Sequence, residues 1–143
     1  MTAIINKIEP IVINRFYEHP PEKVFAAFSC KKAFEQWIAP SDNIDTRVLL
    51  HDFRINGLYR IEFSIPEIGK SFLGGEFIHI DCPRQICFTW LWEEPYIHAG
   101  VNSLVTVDFI ELNGSTKLSL THEMKACLHS NQLNDILSAG KVL

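Results

Sequence analysis

The sequence predicts an α+β protein, in which a curved antiparallel sheet of six or seven strands carries two short helices and a long C-terminal helix over its concave face. Two observations lead to this fold class. Segments rich in β-branched and aromatic residues follow one another from residue 44 to residue 122, with short turns between them. Helical periodicity is confined to residues 20–40 and to the stretch after residue 122. The 143 residues are expected to form one domain, 1–143.

The first elements are one strand and two short helices. Residues 8–17 are rich in β-branched side chains and predict the strand. Residues 20–22, Pro-Pro-Glu, break it and begin a helix, because proline and an acidic residue are favoured in a first helical turn. Ser29 is placed to cap a second helix, which ends before Pro40. The later strands are expected at 44–51, 58–64, 72–80, 85–92, 104–109 and 118–122, before a helix carrying Leu133, Ile136 and Leu137.

The clearest hairpin turns at Asn113-Gly114. Both residues tolerate the positive φ angles of a type I′ turn, and alternating apolar runs flank them. A two-residue loop there places Val105 opposite His122 and Phe109 opposite Leu118. His122 is then the single ionisable group on an apolar face shared by two strands.

A second hairpin turns at Cys82-Pro83. If these are its two loop residues, Phe77 lies opposite Phe88. Gly75 would then lie opposite Trp90 and leave room for the indole.

Composition excludes several classes of function. The net charge is −4, with only 13 Lys and Arg residues and no basic run, which disfavours binding to nucleic acid or to an anionic membrane surface. The N-terminus lacks the apolar core of a signal peptide, and no apolar run reaches the length of a transmembrane helix. Cys30, Cys82, Cys87 and Cys127 form no CxxC pair, so we expect free, buried thiols and a cytoplasmic protein.

His122 is the most informative polar residue. An imidazole can donate and accept hydrogen bonds near neutral pH, so it could orient a ligand or act as a general acid or base. The alternative is a structural role in the core, with His122 bonded to a backbone carbonyl or to Thr106 or Ser103.

An unusual number of aromatic side chains accompanies His122. Pockets for small molecules are mostly apolar with a few convergent polar groups, although some of these rings must pack in the core. We expect Trp90 and His122 to border one cavity beneath the terminal helix, with Phe77, Phe88 and Leu120 along its floor. The predicted ligand-binding residues are Trp37, Tyr59, Phe63, Phe77, Phe88, Trp90, Trp92, Val105, Leu120 and His122.

Other polar residues give weaker signals. His79 would share the face of Phe77 in the Cys82-Pro83 register, but no third ligand is near, so no metal or other cofactor is expected. The adjacent Glu93 and Glu94 are interpreted as solvated loop residues. No phosphate-binding glycine loop or nucleophile elbow is found, and therefore no catalytic residue is assigned.

Several motifs occur in an order that resembles a known superfamily. They are Arg15-Phe16, residues 20–25, residues 34–37 before Pro40, residues 57–60, residues 75–77, residues 88–92 and residues 116–123. Over residues 10–125 the chain resembles the START-like (SRPBCC, helix-grip) superfamily, and more closely the family of the C-terminal domain of the activator of heat-shock protein 90 ATPase. Asn56 stands where that family usually has the first of two glycines. The resemblance implies the helix-grip fold.

Three functions remain open. The aromatic lining without a catalytic constellation favours binding of a small hydrophobic molecule, and a binding protein is expected rather than an enzyme. The resemblance implies an alternative, an interaction protein that stimulates a chaperone ATPase. A third hypothesis is a cyclase or hydrolase that uses His122 as acid or base. Expected partners are a small hydrophobic molecule or a chaperone, with no nucleic acid or membrane, and the chain is expected as a monomer or homodimer.

Overall fold

The computed structural model describes residues 10–94 and 99–124, which form seven strands and two helices. In chain order these are β1 Ile11–Tyr17, α1 Pro21–Ser29, α2 Lys31–Ile38, β2 Asp45–His51, β3 Leu58–Ile65, β4 Gly69–Asp81, β5 Gln85–Trp92, β6 Ser103–Leu112 and β7 Ser115–Met124. The strands form one antiparallel sheet in the order β1-β7-β6-β5-β4-β3-β2. The predicted α+β class and the predicted order of strands and short helices along the chain are confirmed, while the expected terminal helix lies outside the described residues.

The β6–β7 hairpin has the predicted register. Val105 lies opposite His122 and Phe109 opposite Leu118. The turn residues Asn113-Gly114 have φ angles of 52° and 88°, as a type I′ turn requires. The inner face of β7 therefore carries His122 in line with the buried leucines of the same strand.

The β4–β5 hairpin differs from the prediction at its turn. Phe77 does lie opposite Phe88, but Asp81 pairs with Gln85, so the loop has three residues rather than two. A register shift between Phe77 and His79 absorbs the extra residue. The expected position of His79 is wrong, because the shift places it opposite Cys87 on the outer face of the sheet, where it is exposed.

The space above Gly75 is occupied by Tyr59 rather than by the indole of Trp90. A Cβ atom at Gly75 would lie 2.8 Å from Cε1 of Tyr59 and would clash with the carbonyl oxygen of Thr89. The Tyr59 hydroxyl donates a 2.7 Å hydrogen bond to that same carbonyl. Because Gly75 has no side chain, the buried Tyr59 ring of β3 extends across β4 and its hydroxyl reaches the Thr89 carbonyl of β5.

Helices α1 and α2 cover part of the inner face of the sheet. Helix α1 begins at Pro21 and buries Val24, Phe25 and Phe28. The Phe28 ring meets Phe109 of β6 edge-to-face, with centroids 5.5 Å apart. In α2, Phe34 meets Tyr59 of β3 at 6.0 Å. Aromatic contacts therefore join both helices to the middle of the sheet.

The junction between the two helices also departs from the prediction. Ser29 is the last residue of α1, and its hydroxyl donates to the carbonyl of Ala26, so the expected cap of α2 is wrong. Cys30 occupies the N-cap position of α2 and makes no side-chain capping bond. Helix α2 is instead tied to edge strand β2, where the backbone N–H of Val48 donates to the Glu35 carboxylate at 2.8 Å.

The cysteines are more accessible than expected. Cys30, Cys82 and Cys87 are free thiols, and the first two are exposed rather than buried. Cys82 lies in the β4–β5 turn and Cys30 between the two helices, where the chain runs along the surface. Cys127 lies outside the described residues.

Candidate functional site

His122 and Trp90 are brought together by three strands. Trp90 of β5 lies opposite Ser103 of β6, and Val105, two residues further along β6, lies opposite His122 of β7. The Trp90 and His122 rings have centroids 5.3 Å apart. Trp90 is 2% exposed and His122 is fully buried. The predicted proximity of these two residues is therefore present in the structure.

Ser103 links the two residues. Its Oγ lies 2.8 Å from Nε2 of His122 and 3.1 Å from the carbonyl oxygen of Trp90. A carbonyl only accepts, so the single hydroxyl proton goes to Trp90 and Nε2 of His122 must donate to Oγ. The hydrogen bonds thus assign the Nε2–H tautomer and leave a lone pair on Nδ1.

Two buried polar atoms of the Trp90–His122 pair have no hydrogen-bond partner among the described residues. They are Nδ1 of His122, an acceptor in the assigned tautomer, and Nε1 of Trp90, a donor. Most buried polar side-chain atoms in folded proteins are paired, and leaving one unpaired costs about 1–3 kcal/mol. One unpaired donor and one unpaired acceptor on neighbouring rings point to a polar group outside the described chain.

His122 is neutral at physiological pH. Burial disfavours the charged imidazolium and lowers the pKa of His122 to about 4. A proton donor is therefore a better partner for Nδ1 than an anion.

The remaining predicted aromatic residues fall into two groups. Phe63 and Trp92 extend the row from His122 and Trp90, with ring centroids 5.6 Å apart, and Trp92 meets Trp90 at 6.2 Å. Tyr59, Phe77 and Phe88 form a separate cluster with centroids between 5.5 and 5.9 Å. That cluster contacts the side of the core formed by α2 and the loop after β2, through Phe34 and Phe53.

Trp37 and Leu120 lie at a third place, an apolar cleft between the helices and β1. The cleft consists of two adjoining cavities of about 230 and 160 Å³, and both are lined by Tyr17 and Trp37. We call this the Tyr17–Trp37 cleft. Leu118 and Leu120 of β7 line its smaller part. The same face of β7 continues from Leu120 to His122, so the cleft lies on the face that carries the Trp90–His122 pair.

Tyr17 and Arg15 are cleft residues that the sequence reasoning missed. Each pairs with an inner-face residue of β7, Tyr17 with Thr116 and Arg15 with Leu118. The signal was available in the alternation of β1, since residues two apart on a strand share a face. It was overlooked because neither residue belongs to the tryptophan-rich segment.

The other polar candidates have structural surroundings. Glu93 is not a free loop acid, because Arg60 donates two hydrogen bonds to its carboxylate, at 2.9 and 3.0 Å. These bonds from Arg60 hold the pKa of Glu93 below its usual range. Glu94 is exposed. Within residues 10–94 and 99–124, no three His, Cys, Asp or Glu side chains are grouped so as to hold a metal ion.

The Ser103–His122 pair does not have the arrangement of a nucleophile and its base. In such pairs the hydroxyl donates to the imidazole, whose other nitrogen is held by an orienting group. Here the hydroxyl donates to Trp90, and Nδ1 has no partner among the described residues. A pKa of about 4 also makes His122 a weak base. The geometry fits hydrogen bonding better than proton transfer.

Comparison with known proteins identifies the family. Residues 18–136 match the profile of the activator of Hsp90 ATPase homolog 1-like proteins. The chain belongs to this family. The START-like fold expected from the sequence motifs agrees with the membership.

Solved structures share the fold of this family member. A protein from Chromobacterium violaceum is 24% identical, with a TM-score of 0.73 over 94% of this chain and 91% of that one. A protein from Arthrobacter aurescens is 17% identical, with a TM-score of 0.80 over 95% and 78%. An Hsp90 activator from Plasmodium falciparum is 22% identical, with a TM-score of 0.60 over 92% and 86%.

No curated protein matched the sequence. Neither of the helices in the described part of the chain has the length and apolarity to cross a membrane.

Proposed function

We propose that the protein binds a small, mainly apolar molecule on the inner face of its sheet, with a polar group of that molecule at Trp90 and His122. The unpaired Nε1 of Trp90 and Nδ1 of His122 carry this proposal. Both atoms are buried beside an aromatic row that includes Phe63 and Trp92. An apolar lining with a few directed polar atoms is the usual composition of a small-molecule site.

The two atoms define the chemistry of the polar group. Nε1 of Trp90 can only donate, and Nδ1 of His122 accepts in the tautomer set by Ser103. A neutral hydroxyl group accepts one bond and donates one. An ether only accepts, so it would leave Nδ1 unpaired. The preferred ligand is therefore an apolar alcohol or phenol.

A pair of probes tests this preference directly. We expect 2-naphthol to raise the melting temperature more than 2-methoxynaphthalene and to bind at least tenfold more tightly, since the ether lacks the proton that Nδ1 would accept. In NMR spectra, 2-naphthol should shift the indole N–H resonance of Trp90. If neither probe binds, or if both bind equally without shifting that resonance, the proposal fails.

Substitutions separate a ligand-binding role from a role in the core. Trp90→Phe removes an N–H that has no partner in the described chain. It should therefore weaken 2-naphthol binding at least tenfold and change the free energy of unfolding little. His122→Phe should weaken it similarly and also destabilise the fold by about 1–3 kcal/mol, because Ser103 loses its partner. His79→Gln, on the exposed outer face, is the matched control and should change neither property. If His122→Phe lowers stability alone, the imidazole is a core residue.

A second candidate function is stimulation of a chaperone ATPase. Membership of the activator of Hsp90 ATPase homolog 1-like family favours it, together with the fold shared with the Plasmodium falciparum Hsp90 activator. The test is the rate of ATP hydrolysis by the host's own Hsp90-type chaperone as this protein is titrated. A saturable increase in turnover would support the role, and a flat titration would oppose it.

A further inference from the structure

The rim of the Tyr17–Trp37 cleft carries basic side chains. Lys23 of α1 and His19 of the loop before it line the larger cavity, and Arg15 of β1 lines the smaller one. The interior between them is apolar and is formed by Val24, Ala27, Phe28 and Trp37, with Leu118 and Leu120 on the sheet side. Among the residues that the structure describes, no carboxylate lines either cavity.

Four of the eight other Lys and Arg residues in the described part of the chain are paired with acids, whereas these cations are not. Arg54, Arg60, Lys70 and Arg84 each form an ion pair with an Asp or Glu at 2.9–3.2 Å. Within the described residues Arg15 and Lys23 form none, and the Arg15 guanidinium makes one side-chain bond, to the carbonyl of Asn14. Several N–H donors therefore remain for an anion at the rim of an apolar cavity.

We propose that the Tyr17–Trp37 cleft binds a small amphipathic carboxylate, with the carboxylate at the basic rim, where Lys23 lines the larger cavity and Arg15 the smaller one, and the apolar body against Trp37 and Ala27. Charge complementarity supports the acid group, since a charge-assisted hydrogen bond is about twice as strong as a neutral one. The larger cavity, of about 230 Å³, has room for a small organic molecule. This inference goes beyond the site at Trp90 and His122 and does not depend on it.

The two sites are separated along β7. Leu120 is the cleft residue of β7 nearest to His122, which lies two residues further along the strand, a distance of about 7 Å at the usual rise of a strand. Different variants probe the two sites, Trp90→Phe for the pair and Arg15→Gln with Lys23→Gln for the cleft. The two proposals can therefore be tested and rejected separately.

A matched pair of probes tests the charge requirement. We expect 4-phenylbutyrate to bind at least tenfold more tightly than 4-phenylbutan-1-ol at low ionic strength, as measured by calorimetry, and to lose most of that advantage in 0.5 M salt. The acid should shift the NMR resonances of Trp37 and Ala27. Equal affinity for acid and alcohol would overturn the proposal, as would a preference for inorganic phosphate, which lacks the apolar body.

Variants locate the binding. The double variant Arg15→Gln, Lys23→Gln should reduce the affinity for 4-phenylbutyrate to that of the alcohol and leave the alcohol unaffected. Lys32→Gln, an exposed lysine of α2 outside the cleft, is the matched control and should have no effect. Ala27→Leu should fill the cavity and block both probes. Unchanged binding in either cleft variant would contradict the proposal, whereas Trp90→Phe should leave 4-phenylbutyrate binding intact.

Discussion

At the scale of single residues, His122 shows how one hydroxyl can determine the chemistry of a histidine. Ser103 donates to the carbonyl of Trp90 and thereby obliges the imidazole to donate through Nε2. The remaining nitrogen is an acceptor in an apolar setting, and burial keeps the ring neutral. This makes His122 a suitable partner for a hydroxyl group and a poor partner for an acid that has lost its proton.

The low pKa of His122 predicts a pH dependence of stability. In the unfolded chain the imidazole titrates near its ordinary value of 6.5, and in the folded protein near 4. Below pH 6.5 the unfolded state binds a proton that the folded state does not, so the free energy of unfolding falls as the pH falls. Between pH 7 and pH 5 the loss from this residue is about 2 kcal/mol.

Urea denaturation of the protein and of His122→Gln at several pH values measures this loss. The stability difference between them should shrink by about 2 kcal/mol from pH 7 to pH 5. His79→Gln, a substitution on the exposed outer face, is the control. Parallel curves for the original protein and His122→Gln would show that His122 does not titrate as the burial requires.

At the scale of elements, β4 combines a bulge and two adjacent glycines with different surroundings. The bulge lies between Phe77 and His79 and restores the pairing of Phe77 with Phe88 despite the longer turn. Gly75, on the inner face, makes room for the Tyr59 ring. Gly74 points to the outer face, where a Cβ would lie 3.2 Å from the Tyr59 carbonyl oxygen and 3.9 Å from Oε2 of Glu93.

The two glycines make a matched pair for mutation. Gly75→Ala should destabilise the protein by about 2 kcal/mol or more, because the new methyl group meets the backbone of Thr89 and displaces the Tyr59 ring. Gly74→Ala should cost at least 1 kcal/mol less, since its closest contact is longer. Midpoints of urea denaturation give both values. A Gly75→Ala protein as stable as Gly74→Ala would contradict the close approach of Tyr59.

At the scale of the whole molecule, two short helices cover one part of the inner face and join the first strand to the rest of the sheet. Phe28 lies at the centre of this packing, in contact with Phe34, Trp37 and Phe109. The His51 imidazole donates to the carbonyl of Phe28 at 2.9 Å and ties the end of α1 to β2. The helices thus pack near both edge strands of the sheet, β1 through the Tyr17–Trp37 cleft and β2 through His51.

Loss of the Phe28 ring should therefore affect the whole fold. Phe28→Ala is expected to reduce the free energy of unfolding by about 3–5 kcal/mol, because the side chain is fully buried among aromatic neighbours. Phe16→Ala is the control, since that ring is 70% exposed, and should change stability by less than about 1 kcal/mol. Thermal or urea denaturation distinguishes them. A loss below 1 kcal/mol for Phe28→Ala would mean that the helices contribute little to the core.

Features that depend on local chemistry can be predicted from the amino-acid sequence. Asn113-Gly114 sets the register of β6 and β7, because few residue pairs adopt positive φ at both turn positions. Strand alternation then places His122 inside, and the order of motifs identifies the superfamily. Ser103 was also one of the hydrogen-bond partners expected for His122, since it lies within reach in that register.

Features that depend on several distant segments become visible once the chain is folded. The bulge in β4 depends on how the turn at Cys82-Pro83 fits a sheet whose strands are already paired on both sides. The bulge places His79 on the outer face. The Tyr17–Trp37 cleft is formed by β1, the helices and β7 together, and no local pattern specifies how closely they pack. The unpaired atoms of Trp90 and His122 likewise depend on three strands, because the Ser103 hydroxyl of β6 bonds to Trp90 of β5 and to His122 of β7. Alternation along a single strand does not specify such an arrangement.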